Sequence, residues 1–93
     1  MSSQKSARLY RVRGQVQGVG FRNFVEHAAN ALGVQGYVRN LDDGSVEVYA
    51  LGNSTQLSEL AGLLWKGPRW AEVRGVDESE APPEQHRGFS IRS

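Results

Sequence analysis

The apolar residues switch between a period of two and a period of about 3.6, and the order of those switches limits the folds this chain can adopt. From Arg8, "RLYRVRGQV" alternates, with Tyr10, Val12 and Val16 toward one face and Arg11 and Arg13 toward the other, as a strand with one wet side. Phe21, Phe24, Val25, Ala28, Ala29 and Leu32 then recur at helical spacing, opposite Asn23, Glu26, His27 and Asn30, and Gly33 supplies a helix stop. "VQGYVRN", "DDG" and "SVEVYALG" read as a hairpin turned at Asp43-Gly44, with Val46, Val48 and Ala50 alternating against Glu47 and Tyr49. Asn53 or Ser54 can cap a second helix with a stripe of Leu57, Leu60, Ala61 and Leu64, ended by Gly67 and Pro68. "WAEVRGVDES" alternates again, "EAPPEQHRG" is a loop because adjacent prolines remove two ladder donors, and "FSIRS" is a short last strand.

This order predicts an α+β, ferredoxin-like two-layer sandwich: an antiparallel sheet of four to five strands with two helices on one face (βαββαβ plus a short C-terminal strand). With 93 residues the chain makes one domain. Residues 1–7 are polar and small and are expected to form a flexible tail, leaving 8–93 as the domain. A net charge of +1 gives no general pull toward nucleic acid or membranes, so any charge-based function must be local. The absence of cysteine removes disulfides and thiolate chemistry. No run approaches the roughly 18 apolar residues of a membrane span, and "MSSQKSARLYRVRG" lacks the apolar core of a signal peptide. The expectation is a cytoplasmic monomer.

The run "GQVQGVGFR", residues 14 to 22, sits between the first strand and the first helix. Its glycines fit neither the dinucleotide spacing nor the nucleoside-triphosphate loop, which needs Gly-Lys-Ser/Thr. A glycine-rich turn still lets several backbone N–H groups converge, and the following helix presents unpaired N–H groups at its positive end. Arg22 falls at that start, where a cation opposes the helix dipole unless an anion lies beside it. Spacing alone leaves two readings open: an anion cradle, or a tight turn with Arg22 solvated. Asn40, at the end of "GYVRN", either caps its own turn or reaches the same end of the sheet as the glycine run.

"GQVQGVGFR" followed by "GYVRNLDDGSVEV" resembles the acylphosphatase family, and the likeness continues through "KGPRWAEV" to "FSIR". The resemblance implies hydrolysis of carboxyl-phosphate anhydrides to a carboxylate and inorganic phosphate, on the same ferredoxin-like fold. By that match Arg22 would bind phosphate and Asn40 would position the attacking water. Gln15, Val16, Gln17, Gly18, Val19 and Gly20 would form the backbone cradle, and a small-molecule acyl phosphate would be the partner. Asn23, Tyr37 and Ser93 depart from residues common in the family, and none of these departures touches the two functional positions themselves.

No cofactor or metal is expected. His27 on the polar face of the helix and His86 in the proline loop have no ligand partner at a chelating interval, and both read as solvated. Trp65 and Trp70 read as packing residues around the Gly67-Pro68 turn, and Asp42 and Asp43 as turn residues. A rival reading takes the sheet face of Arg11, Arg13, Arg39 and Arg74 as an RNA surface. Glu47 and Glu72 alternate among these arginines, so cross-strand ion pairs explain them, and the aromatic signature of an RNA-binding sheet is missing. A third reading keeps the fold as a partner module without turnover.

Overall fold

The structure, a computed structural model, describes residues 4–93. Its elements are β1 (Ser6–Gln15), α1 (Phe21–Leu32), β2 (Gln35–Asn40), β3 (Val46–Gly52), α2 (Ser54–Lys66), β4 (Glu72–Ala81) and β5 (Phe89–Arg92). The sheet order is β4-β1-β3-β2-β5, with both helices over one face. The inner side chains of the sheet, among them Tyr10, Val12, Val38 and Val48, bury against Phe21, Val25, Ala29, Leu57, Leu60 and Leu64 of the helices. Those are the stripes that the two periods predict. Neither helix is long and apolar enough to cross a membrane.

The helix ends follow local chemistry. Gly33 closes α1 in a left-handed turn (φ 79°), and its N–H donates to the carbonyls of Ala29 and Asn30. Asn53 caps α2 in a capping box with Gln56, whose Nε2 also donates to Leu32 O at 2.8 Å. One glutamine thus links the end of α1 to the start of α2.

Three expectations change. β1 begins at Ser6, not Arg8: Ala7 is buried and pairs with Leu51 and Ala81, so the domain takes in residues expected in the tail. Residues 1–3 of that tail lie outside the described residues. The sheet is mixed, not antiparallel, because β5 runs parallel to β2. β4 and β5 are opposite edges, so residues 82–88 must carry the chain across the sheet before β5 can pair. Finally, the tryptophans do not pack. Trp65 sits one residue past Leu64 on α2, which turns it off the buried stripe, and Trp70 precedes an edge strand; they are 54% and 74% exposed.

The proline segment also corrects the picture of a wet outer face. Ala7, Tyr49 and Leu51 form a second small cluster there, with Leu9, Tyr37 and Ala81 around it. The Tyr37 and Tyr49 rings stack at 5.6 Å, and His86 lies on both, at 5.9 and 5.1 Å. Tyr49 Oη donates to Pro82 O and accepts from Glu84 N–H, each at 2.7 Å. Burial pushes its phenol up. The His86 side chain is only 10% exposed, against the expectation that it is solvated, because residues 82–88, a strap between β4 and β5, hold it on the tyrosines.

Close strand contact requires glycine at Gly36. Its φ is +143°, and a Cβ there would stand 1.9 Å from Tyr49 O across the β2–β3 pair. Gly36→Ala is expected to destabilise the fold by about 2–4 kcal/mol, through backbone strain and a clash no rotamer relieves. Urea unfolding followed by circular dichroism checks this, and an unchanged midpoint would refute the close-contact account.

Candidate active site

The glycine run leaves the sheet through a bulge. β1 shifts register against β4 between Arg13 and Gly14, and the strand ends with Gln15 opposite Glu72. Val16 is buried and Val19 packs against the core, which pins the loop at two points. Gly18 and Gly20 adopt left-handed φ of 74° and 79°, where a side chain would be strained. Gly20 is the N-cap of α1. It contributes no side-chain cap, and the first turn holds no acidic residue, so the opening N–H groups of the helix keep no partner from within it.

The facing wall comes from the β2–β3 hairpin. Asn40 ends β2, and Leu41 N–H closes the turn on Ser45 O at 2.8 Å. Gln17 Nε2 reaches across and donates to Leu41 O at 2.8 Å and to Ser45 O at 2.9 Å. The turn is held in its own right: Asp43 Oδ1 accepts from Ser45 N–H (2.9 Å) and Ser45 Oγ (2.5 Å), and Asp43 Oδ2 pairs with Arg11. The Ser45 hydroxyl, then the Ser45 N–H and the Arg11 guanidinium, hold the Asp43 carboxyl at about 2.

Between loop and hairpin lies a cavity of about 260 Å³. Val16, Gly18 and Gly20 of the loop line it, with Phe21, Arg22 and Asn23 from the first turn of α1. Asn40 and Ile91 complete the wall. Of the residues assigned to the cradle, Gln15, Gln17 and Val19 do not line it. Gln15 is a β1 residue paired with β4, the Gln17 side chain is turned to the hairpin, and that of Val19 packs on the core. Phe21, Asn23 and Ile91 are additions. Asn23 could have been suspected from its place beside Arg22, but Ile91 depends on the parallel β2–β5 pairing, for which no local signal exists.

Among the described residues, Arg22 is the one charged side chain lining the cavity, and Asn40 Oδ1 is buried without a hydrogen-bond partner. The arrangement suits a small anion with a polar neighbour. Among the described residues, no three of His, Cys, Asp and Glu gather to hold a metal. The sheet arginines look elsewhere: Arg39 pairs with Glu47 at 3.2 Å and Arg13 with Asp77 at 2.8 Å, both across strands. Arg74 pairs with Glu72 along its own strand at 3.4 Å.

The family model for acylphosphatase matches residues 8–91. The chain belongs to the acylphosphatase family. An acylphosphatase of Solibacter usitatus (strain Ellin6076) is 57% identical over 90 residues, covering 97% of this chain and 94% of its own length. The structure of an acylphosphatase from Coxiella burnetii aligns with a TM-score of 0.91 at 36% identity, over 95% of this chain and 93% of that one. The acylphosphatase from Bacillus subtilis gives 0.89 at 35% identity, over 97% and 100%. The chain is thus an enzyme of the acylphosphatase class, on the fold its hydrophobic periods predict.

The hairpin of this acylphosphatase has a pH signature. The folded pKa of Asp43, about 2, lies below the unfolded value near 4, so its contribution to stability is complete above pH ~4 and fades as the pH falls toward about 2. Urea midpoints across that window should show wild type above Asp43→Asn at neutral pH, with the gap closing in acid. A gap that stayed constant to pH ~2 would contradict the assignment.

Proposed function

We propose that the chain hydrolyses small-molecule carboxyl-phosphate anhydrides by direct, in-line attack of water, without a metal. The observation that carries the reading is the meeting of Arg22, Asn40 and the glycine loop in one small cavity whose only charged lining residue, among those described, is that arginine. The dianionic phosphoryl group sits in the loop. Arg22 forks onto two of its oxygens, and the N–H groups of the loop and the first turn of α1 take the rest. The positive end of α1 adds to the same field.

Asn40 supplies the other half. Its buried Oδ1 accepts a hydrogen bond from water, which leaves a lone pair of the water oxygen aimed at phosphorus. The new O–P bond forms as the bond from phosphorus to the acyl oxygen breaks, and the carboxylate departs with the electron pair. A proton of the water moves to a phosphate oxygen, giving dihydrogen phosphate and a carboxylate. A leaving group with a pKa of about 4–5 needs no protonation, so a general acid is unnecessary. Phosphoryl transfer through a loose transition state depends mainly on positioning and charge stabilisation, which an arginine, an asparagine and backbone donors can provide.

Hydrolysis of benzoyl phosphate in the presence of a metal chelator tests the proposal. Wild type should turn over, and Asn40→Ala should lose roughly 10²–10³ in kcat while keeping its fold. Arg22→Gln should also raise KM, by about tenfold or more, because a charged hydrogen bond to the ground-state phosphate is gone. Wild-type kcat in Asn40→Ala would remove the water-positioning role. Phosphate binding without any wild-type turnover would make the domain a partner module.

A further inference from the structure

Trp65 and Trp70, the only two tryptophans of the chain, bracket the turn that ends α2, and they are the large hydrophobic side chains left exposed among the described residues. Lys66 and Arg69 lie between them, and no acidic residue occurs from Trp65 to Ala71. The Arg69 guanidinium lies 5.2 Å over the Trp70 ring. Arg8, Arg11, Arg13, Arg39 and Arg74 each have a carboxylate within ion-pair distance. Among the described residues, Lys66 and Arg69 make no such pair. Among the described residues, the place where large apolar rings are exposed is thus also a place where cations stand without an ion-pair partner.

Indole rings with a polar N–H settle where an apolar layer meets water, and unpaired lysine and arginine seek anionic groups at the same level. We propose that the turn Trp65–Trp70 docks the protein peripherally on an anionic lipid surface, with the rings among the headgroups and Lys66 and Arg69 on headgroup phosphates. A second copy of the chain fits less well, because a two-fold contact through this turn would set the unpaired cations against themselves. Single-stranded nucleic acid asks for a basic groove with successive stacking platforms, whereas these rings stand on either side of a proline turn. The sequence alone gave no reason to expect membrane contact; the exposure of both rings supplies it.

The turn sits at the catalytic end of the sheet. Gly67 packs on Phe21, with a Cβ position 3.2 Å from Cε2, and Phe21 lines the active-site cavity. Glu72, two residues past Trp70, pairs with Gln15 at the mouth of the glycine loop. Docking therefore brings the active-site end toward the lipid. Binding is weak and salt-sensitive, since each cation contributes about fivefold to partitioning onto an anionic surface.

Tryptophan emission of the intact protein, excited to the red of tyrosine absorption, reads this turn alone, since Trp65 and Trp70 are the only tryptophans. With vesicles of phosphatidylglycerol and phosphatidylcholine in equal parts, at low salt, the emission should shift to the blue and the protein should co-sediment. Salt of about 1 M should reverse both, and phosphatidylcholine alone should produce neither. The double variant Lys66→Ser, Arg69→Ser should partition about 25-fold less while its benzoyl phosphate turnover in solution stays at the wild-type level. Absence of binding to the anionic vesicles, or equal binding by the double variant, would overturn the proposal. So would an emission change with single-stranded RNA but not with vesicles, or one that tracks protein concentration without lipid.

Discussion

A single amide holds the site in register. Gln17 Nε2, donating to the carbonyls of Leu41 and Ser45, joins the glycine loop to the β2–β3 hairpin. Arg22 follows the first of these units, in the opening turn of α1, and Asn40 ends the first strand of the second. A displacement of about 1 Å between a catalytic group and its target can remove two orders of magnitude in rate, so the relation between loop and hairpin matters more than either alone. The bonds behind Gln17 extend that control: Ser45 is held by Asp43, and Asp43 by Arg11 on the neighbouring strand. The loop is thus registered to the sheet through a chain of polar contacts, while Val16 and Val19 fix its depth in the core.

The electrostatics of the cavity follow from what the fold keeps out of it. The carboxylates nearest the sheet arginines are engaged on the outer face, and none lines the cavity. An arginine at a helix N-terminus normally opposes the dipole. Here both present positive potential to the same small volume, a local conflict that a dianion bound as proposed would relieve.

Much of this was legible from residues. The two helical stripes, the capping of α2, the Gly33 stop and the Asp43-Gly44 turn depend on contacts within a few positions, and local periodicity reads them directly. Arg22 and Asn40 were singled out from two separated motifs, and the fold brings both to one cavity. What stayed hidden depends on long-range geometry. Nothing in "FSIR" signals a parallel partner, so Ile91 could not be placed on the cavity wall. Nothing in the alternation of β3 says that its outward Tyr49 will be covered, because the cover arrives from residues 82–88. Gln17 was read for its backbone, and its side chain turned out to be the bridge.

The strap has a mechanical consequence. From Ala81 to Phe89 the chain passes from one edge of the sheet to the other, across five strands. Edge to edge is about 19 Å at the usual strand spacing, and that stretch of chain reaches about 27 Å when fully extended. Little slack remains once two prolines and the anchoring of Tyr49 and His86 are allowed for. The segment therefore works as a ruler: its length sets how far β5 slides along β2, and with it where Ile91 stands in the cavity wall. A shortened strap would have to drag β5 toward the end of the sheet away from Asn40, so the dimensions of the cavity are gauged from the opposite side of the molecule.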